Sequence, residues 1–205
     1  GAYISNGNAT ERVLEYIRPY VQLYKVDLKS FDDRHYRDLG GQLPHVKRTI
    51  RQLHEKGFWL EIVTLVVPGF NDSEEELKQM AGFLADISPD IPWHVTGFHS
   101  DYKMNGTSST TAEQLMTAAQ IGKDAGLRFV YAGNRPGMTA DGESTCCPDC
   151  NEMLIKRRGF MVQENRLAPG GKCPGCDRAI PGFWDRETVI PQENMGEPMW
   201  LAETG

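Results

Sequence analysis

Cys147-Pro148-Asp149-Cys150 and Cys173-Pro174-Gly175-Cys176 are the residues whose type and spacing speak most directly of chemistry. Each Cys-x-x-Cys pair brings two thiolates within reach of one ion. The spacer of about twenty residues is long enough for a small hairpin that returns the second pair to the first. Four thiolates at one tetrahedral site suit zinc, with iron of the rubredoxin type as the alternative. Such a closed site has no open position for catalysis, so its role is expected to be structural. Asn151 and Asp177 follow the second cysteine of each pair, where a tight turn favours residues that tolerate left-handed backbone. Cys146 breaks the two-residue gap and is read as a free thiol.

A second chemistry sits in Val26-Asp27-Leu28-Lys29. In a strand, residues i and i+2 point the same way, so Asp27 and Lys29 face together while Val26 and Leu28 face the other side. An acid and a base side by side could clamp a zwitterion, the carboxylate holding an amino group and the ammonium a carboxylate. A plain ion pair at a sheet rim has the same spacing and is the simpler reading of the spacing alone. His99, in Gly97-Phe98-His99-Ser100-Asp101, could bond a ligand or move a proton, although a lone loop histidine often does neither. His35, His45 and His54 have no spacing that suggests a joint metal site. The chain lacks a G-x-G-x-x-G segment, a Walker loop, H-E-x-x-H and G-x-S-x-G.

These residues need elements to position them. Tyr3-Ile4 reads as the tail of a strand ending at Ser5-Asn6-Gly7-Asn8. Thr10 is a plausible N-cap for a helix with Val13, Leu14 and Ile17 on one face. Val21 to Leu28 reads as a buried strand. Val46, Ile50 and Leu53 mark a helix that ends at Gly57. Trp59 to Val67 is the strongest strand pattern and stops at Pro68-Gly69. Ser73 to Glu76 reads as a capping box before a helix carrying Leu77, Met80, Ala81 and Leu84. A strand from Trp93 to Phe98, a helix from about Thr111 to Ala125 and a strand from Leu127 to Tyr131 complete a βαβα series. Strands joined by helical crossovers lie parallel, as in part of a barrel or an open sheet. In such folds the sites lie at the carboxyl ends of the strands, where Asn6, Asp27, Lys29, Pro68-Gly69 and His99 all fall. The expected division is residues 1–134 for the α/β part, 135–145 for a linker, 146–185 for the four-cysteine module and 186–205 for a tail.

Composition narrows the class. The chain has 205 residues and a formal net charge of -6, which leaves no electrostatic footprint for nucleic acid or an anionic membrane. No apolar run is long enough to span a bilayer, and the start lacks a signal-peptide pattern. Cysteines confined to one segment suit a metal site in a reducing cytoplasm better than a disulfide framework.

Ser5-Asn6-Gly7, Val26-Asp27-Leu28-Lys29, Val66-Val67-Pro68-Gly69-Phe70-Asn71-Asp72 and Gly97-Phe98-His99 together resemble the later half of a radical S-adenosylmethionine (SAM) enzyme. The nearest kind is the activating enzyme of glycyl-radical enzymes, such as that of pyruvate formate-lyase. Tyr102-Lys103-Met104, Gly126 to Asn134, the two Cys-Pro-x-Cys pairs, Arg158-Gly159-Phe160 and Ile180-Pro181-Gly182-Phe183-Trp184 resemble the AmmeMemoRadiSam-system radical SAM proteins. The resemblance implies a partial parallel (β/α) barrel of the radical SAM type followed by a zinc-ribbon or rubredoxin-like module. It implies Asn6, Asp27, Lys29 and His99 as contacts to S-adenosylmethionine, with Asp27 and Lys29 orienting the methionyl group. It also implies a 4Fe-4S cluster and a 5′-deoxyadenosyl radical that takes hydrogen from an unknown substrate, which could be a protein. Memo-like and AMMECR-like proteins are implied as partners by family association only.

Two departures stand out. The family's C-x-x-x-C-x-x-C and G-G-E-P segments are absent, and both would precede Gly1, so the piece is expected to be inactive alone. Ile4 stands where activating enzymes carry an aspartate before the T-N-G turn. Two readings from other classes compete: a non-catalytic zinc-ribbon adaptor whose α/β part docks a partner, and an α/β hydrolase or transferase in which a Ser or Cys would pair with His99.

Overall fold

A computed structural model describes residues 1–101, 106–135, 139 and 141–184; the Tyr102-Lys103-Met104 segment and the expected tail at 186–205 lie outside the described residues. Five strands, β1 (Ala2–Ser5), β2 (Leu23–Asp27), β3 (Trp59–Val66), β4 (Trp93–Gly97) and β5 (Val130–Gly133), form one parallel sheet in the order β1-β2-β3-β4-β5. Each crossover moves one place along the sheet and the order never reverses. That is the winding of a barrel segment, without the switch point of a doubly wound sheet. The helices are α1 (Glu11–Ile17), α2 (Asp33–Asp38), α3 (Leu43–Glu55), α4 (Glu74–Ile87) and α5 (Ala112–Asp124).

Strand periodicity divides the sheet into two faces. Tyr24, Val26, Leu60, Ile62, Val66, Trp93 and Val95 are buried in the core with Ile50, Leu53, Met80, Leu84 and Leu115 from the helices. Their neighbours Lys25, Asp27, Glu61, Val63, His94 and Thr96 stand on the opposite face and are only half-buried. Polar side chains can occupy that face because no helix among the described residues covers it. Gly7 shows how closely the frame packs: its φ is +77°, and a Cβ there would lie 2.8 Å from Val46 Cγ1 and 2.9 Å from Val26 Cγ1.

The helix ends follow the side chains expected, with two differences. Thr10 caps α1 through the Val13 N–H, and Thr111 and Gln114 make a complete capping box on α5. At α4 the expected box is only half made. Ser73 Oγ accepts from the Glu76 N–H, but the Glu76 carboxylate turns away and accepts from Ser30 Oγ at 2.5 Å and the Phe31 N–H at 2.7 Å. It caps the loop after β2 instead. Helix α2 falls in a stretch that periodicity leaves blank, being too short to display a face; Asp32 starts it by accepting from the N–H groups of Arg34 and His35.

A second sheet of three antiparallel strands follows: β6 (Thr145–Cys146), β7 (Met153–Arg158) and β8 (Met161–Asn165). The hairpin β7–β8 occupies the spacer between the cysteine pairs. Its small core of Leu154, Ile155, Ile180, Cys147 and Cys173 includes Phe129, the residue that leads into β5. Before β6 the chain also bonds to β5: the Ala132 N–H donates to the Gly142 carbonyl at 2.8 Å, and buried Thr139 Oγ1 donates to the Ala132 carbonyl at 3.0 Å.

Candidate functional sites

The sulfurs of Cys147, Cys150, Cys173 and Cys176 lie within 4.8 Å of one another, in a group that could hold a metal ion. Cys147–Cys176 and Cys150–Cys173 each approach to 3.5 Å. Four sulfurs each about 2.3 Å from a central ion would stand roughly 3.8 Å apart, so the spacing fits a tetrahedral centre. The two knuckles share one bonding pattern. The Asn151 N–H donates to the Cys147 carbonyl and the Asp177 N–H to the Cys173 carbonyl, both at 2.9 Å. Asn151 and Asp177 both adopt the left-handed conformation, at φ 61° and 60°. Burial raises the Cys147 thiol, but backbone N–H groups of Cys150 and Asp149 outweigh it and hold the thiol down at about 7. The lowered thiol at Cys147 favours the thiolate that a metal ligand needs, whereas Cys150 and Cys176 are shifted upward in the absence of an ion. Cys146 stands outside the group, half-buried at the edge of the module.

The second site lies at the carboxyl end of β2. Asp27 and Lys29 share the open face of the sheet, with Lys29 Nζ 3.6 Å from Asp27 Oδ2. Lys25, two residues earlier on the same face, brings its Nζ to 3.7 Å from Asp27 Oδ1. The carboxylate therefore sits between two ammonium groups. Lys25 lies inside the strand and not at the end where such folds place their sites, yet the same period-two rule puts it on this face. The backbone of this corner is pinned from three directions. The Lys29 N–H donates to Tyr36 Oη at 3.1 Å, Asn71 Nδ2 donates to the Lys29 carbonyl at 2.7 Å, and Thr64 Oγ1 donates to the Leu28 carbonyl at 2.9 Å. Burial pushes the Tyr36 phenol up to about 12, aided by the nearby Asp27 charge, so Tyr36 stays protonated.

Asn6 and His99 follow β1 and β4 at the same end of the sheet as Asp27, and both are exposed. Asn6 Oδ1 accepts from the Asn8 N–H at 3.1 Å and shapes the turn. Gly69 takes φ +73°, with nothing near enough to meet a Cβ, so the turn itself requires glycine. Its N–H donates to Asp72 Oδ1 at 2.8 Å.

A third feature was not legible in motifs. Further down the open face, Glu61 accepts from the Trp59 indole N–H at 2.9 Å through Oε1, and its Oε2 lies 3.1 Å from His94 Nε2. The His94 ring stacks on Tyr131, with centroids 4.9 Å apart. Tyr131 Oη lies 3.0 Å from Thr145 Oγ1, which also accepts from Arg157 Nη1 at 2.9 Å. The array thus runs from the parallel sheet into the cysteine module. Burial raises the Glu61 carboxyl, but the bonds from His94 and Trp59 prevail and hold it below the usual range. Sheet and module enclose a cleft of about 820 Å³ lined by these residues. Glu61, the single charged residue within Trp59-Leu60-Glu61-Ile62-Val63, was the available signal, hidden by the apolar length of the segment.

No family model matches the chain. The chain is 32% identical over 161 residues to an uncharacterized protein of Methanocaldococcus jannaschii, covering 78% of this chain and 47% of that protein. It is 28% identical over 137 residues to the benzylsuccinate synthase activating enzyme of Thauera aromatica, covering 60% and 41%. The chain therefore spans less than half the length of these relatives. A solved domain of a pyruvate-formate lyase-activating enzyme from Bacteroides vulgatus superposes with a TM-score of 0.57 at 22% identity, covering 64% of this chain and 80% of that one. A radical SAM methyltransferase from Sphaerobacter thermophilus superposes with a TM-score of 0.55 at 14% identity, covering 74% and 43%. The chain is thus similar in sequence to an activating enzyme, and it shares its parallel α/β frame with a second activating enzyme and a radical SAM methyltransferase.

Proposed function

We propose that this chain is part of a radical SAM enzyme of the activating-enzyme kind, in the AmmeMemoRadiSam system, and that the rim of Asn6, Asp27, Lys29 and His99 receives S-adenosylmethionine. The observation that carries the reading is the Asp27 carboxylate, flanked by two ammonium groups on the open face at the carboxyl end of β2. The methionyl end of the cofactor is a zwitterion. Its ammonium suits Asp27, and its carboxylate suits Lys29, whose side chain is 46% exposed and within reach of a ligand. The clamps on the Lys29 backbone hold this pair in place before anything binds, which lowers the ordering cost of binding. His99, exposed after β4 at the same end of the sheet, would meet the carboxylate or ribose.

When bound, S-adenosylmethionine and a reduced 4Fe-4S cluster supply a 5′-deoxyadenosyl radical. All five cysteines here belong to residues 146–176, four of them in the module, so the cluster ligands would come from outside this sequence. The four-sulfur group has the form of a closed structural site, and zinc is the ion we assign to it. A protein substrate, with Memo-like and AMMECR-like partners, is part of the same proposal. The test uses a longer protein with its cluster reconstituted. Asp27→Ala is expected to lower 5′-deoxyadenosine release at least about tenfold, the scale of one charge-assisted hydrogen bond. Undiminished release would remove Asp27 from the site.

A further inference from the structure

The cleft between the open sheet face and the cysteine module has walls of two kinds. Trp59, Phe129, Ile155, Ile180 and Phe183 give it an apolar body. The Phe183 ring meets Trp59 edge-on at 6.4 Å between centroids and is still 63% exposed. A large ring left open to water at the wall of a cleft is a feature of ligand sites.

The polar groups facing this cleft are unevenly committed. Both Glu61 oxygens are engaged, by Trp59 Nε1 and by His94 Nε2. Glu143 accepts from the Gly159 N–H at 2.7 Å. Lys25 is drawn to Asp27, and Tyr131 is bonded to Thr145. Arg157 differs. Its Nη1 donates to Thr145 Oγ1 at 2.9 Å, while the rest of its fork has no acceptor among the described residues. Arg157 therefore keeps the largest unspent donor capacity in the cleft, positively charged and half-buried beside apolar walls, while the accepting capacity left over is one oxygen of Glu143. A planar guanidinium in that setting recognises a carboxylate or a similar oxyanion through paired hydrogen bonds.

We propose that this cleft binds a small organic anion with a ring-sized apolar body, its anionic group on Arg157 and its body between Trp59, Ile155 and Phe183. The volume of about 820 Å³ is in the range of small-molecule sites. Sheet and module both line it, and Arg157, Ile155 and Phe183 come from the module, so the site exists only while the module is in place. The proposal does not depend on radical chemistry, and it is tested with S-adenosylmethionine absent.

The experiment is calorimetric titration of the metal-loaded chain with 2-naphthoate and with its neutral counterpart 2-naphthamide. The carboxylate is expected to occupy one saturable site and to bind about tenfold or more tighter than the amide, and Arg157→Gln should erase that preference. The Trp59 indole N–H resonance should shift on binding, which locates the ligand in the cleft. Phe183→Ala, an exposed change that leaves the core intact, should weaken both probes alike. No saturable binding, equal affinity for the two probes, or a preference that survives Arg157→Gln would overturn the proposal. So would unchanged affinity in Phe183→Ala, even if Arg157→Gln failed to fold.

Discussion

Asn71 has one of the least exposed polar side chains in the molecule, and it spends that burial on backbone rather than on chemistry. Its Nδ2 donates to the Leu65 carbonyl at 2.8 Å as well as to Lys29, and its Oδ1 accepts from the Val67 N–H at 2.7 Å. One amide thus ties the end of β3 to the corner that presents Asp27 and Lys29. Asn71→Ala would take this partner from three partly buried backbone groups, at a cost of roughly 2 kcal/mol of stability. A urea-unfolding midpoint unchanged from the parent chain would contradict this. The residue shows what was legible and what was not. Asp27 and Lys29 could be paired from strand period alone, because the rule is local. The partner of Asn71 lies 42 positions away, and no local rule reaches it. The same holds for Glu76, whose neighbours in sequence suggest a helix cap and whose neighbours in space are Ser30 and Phe31.

At the scale of elements, amphipathic period placed α3, α4, α5 and the parallel strands where the structure has them. It failed at α2, six residues long, where Asp32 and tertiary contact decide the conformation. It also put the last strand too early. The Leu127 and Arg128 N–H groups bond to the Gly122 and Pro89 carbonyls, so the ladder starts only at Val130. The open face of β3 and β4 carries a cost that can be measured. The Glu61 carboxyl is held below its ordinary value, so the folded state favours its ionised form. Stability from this group is therefore present above the ordinary carboxylate pKa and is lost as pH falls through the lower folded value. The parent chain should exceed Glu61→Gln in urea midpoint at neutral pH, and the gap should shrink on acidification to about pH 4 and below. A gap that widens in acid would contradict the assignment of the His94 and Trp59 bonds.

At the scale of the whole molecule, the sheet unit and the cysteine module depend on each other unequally. The sheet has its own helix-backed core, from Leu14 to Ala132. The module has Leu154, Ile155 and Ile180, two of its own ligand cysteines, and Phe129 borrowed from the sheet. A core that small rarely stands without a staple, and here the staple is the metal that four sulfurs would share. The spacing of the cysteines made the staple legible. The borrowed phenylalanine was not, because Phe129 reads equally well as a residue of its own strand. Metal removal by a chelator, or Cys173→Ser, should therefore unfold the module while the sheet persists. Amide resonances of the knuckles at Cys147–Cys150 and Cys173–Cys176 should collapse toward random-coil positions, and those of Leu43–Glu55 should stay dispersed. Loss of the module would also remove Arg157 and Phe183 from the cleft, so 2-naphthoate binding should disappear together with the metal. Dispersed knuckle amides in metal-free protein would show that Phe129 and its neighbours suffice alone. Collapse of the helices as well would show that the sheet leans on the module, against the asymmetry of the two cores.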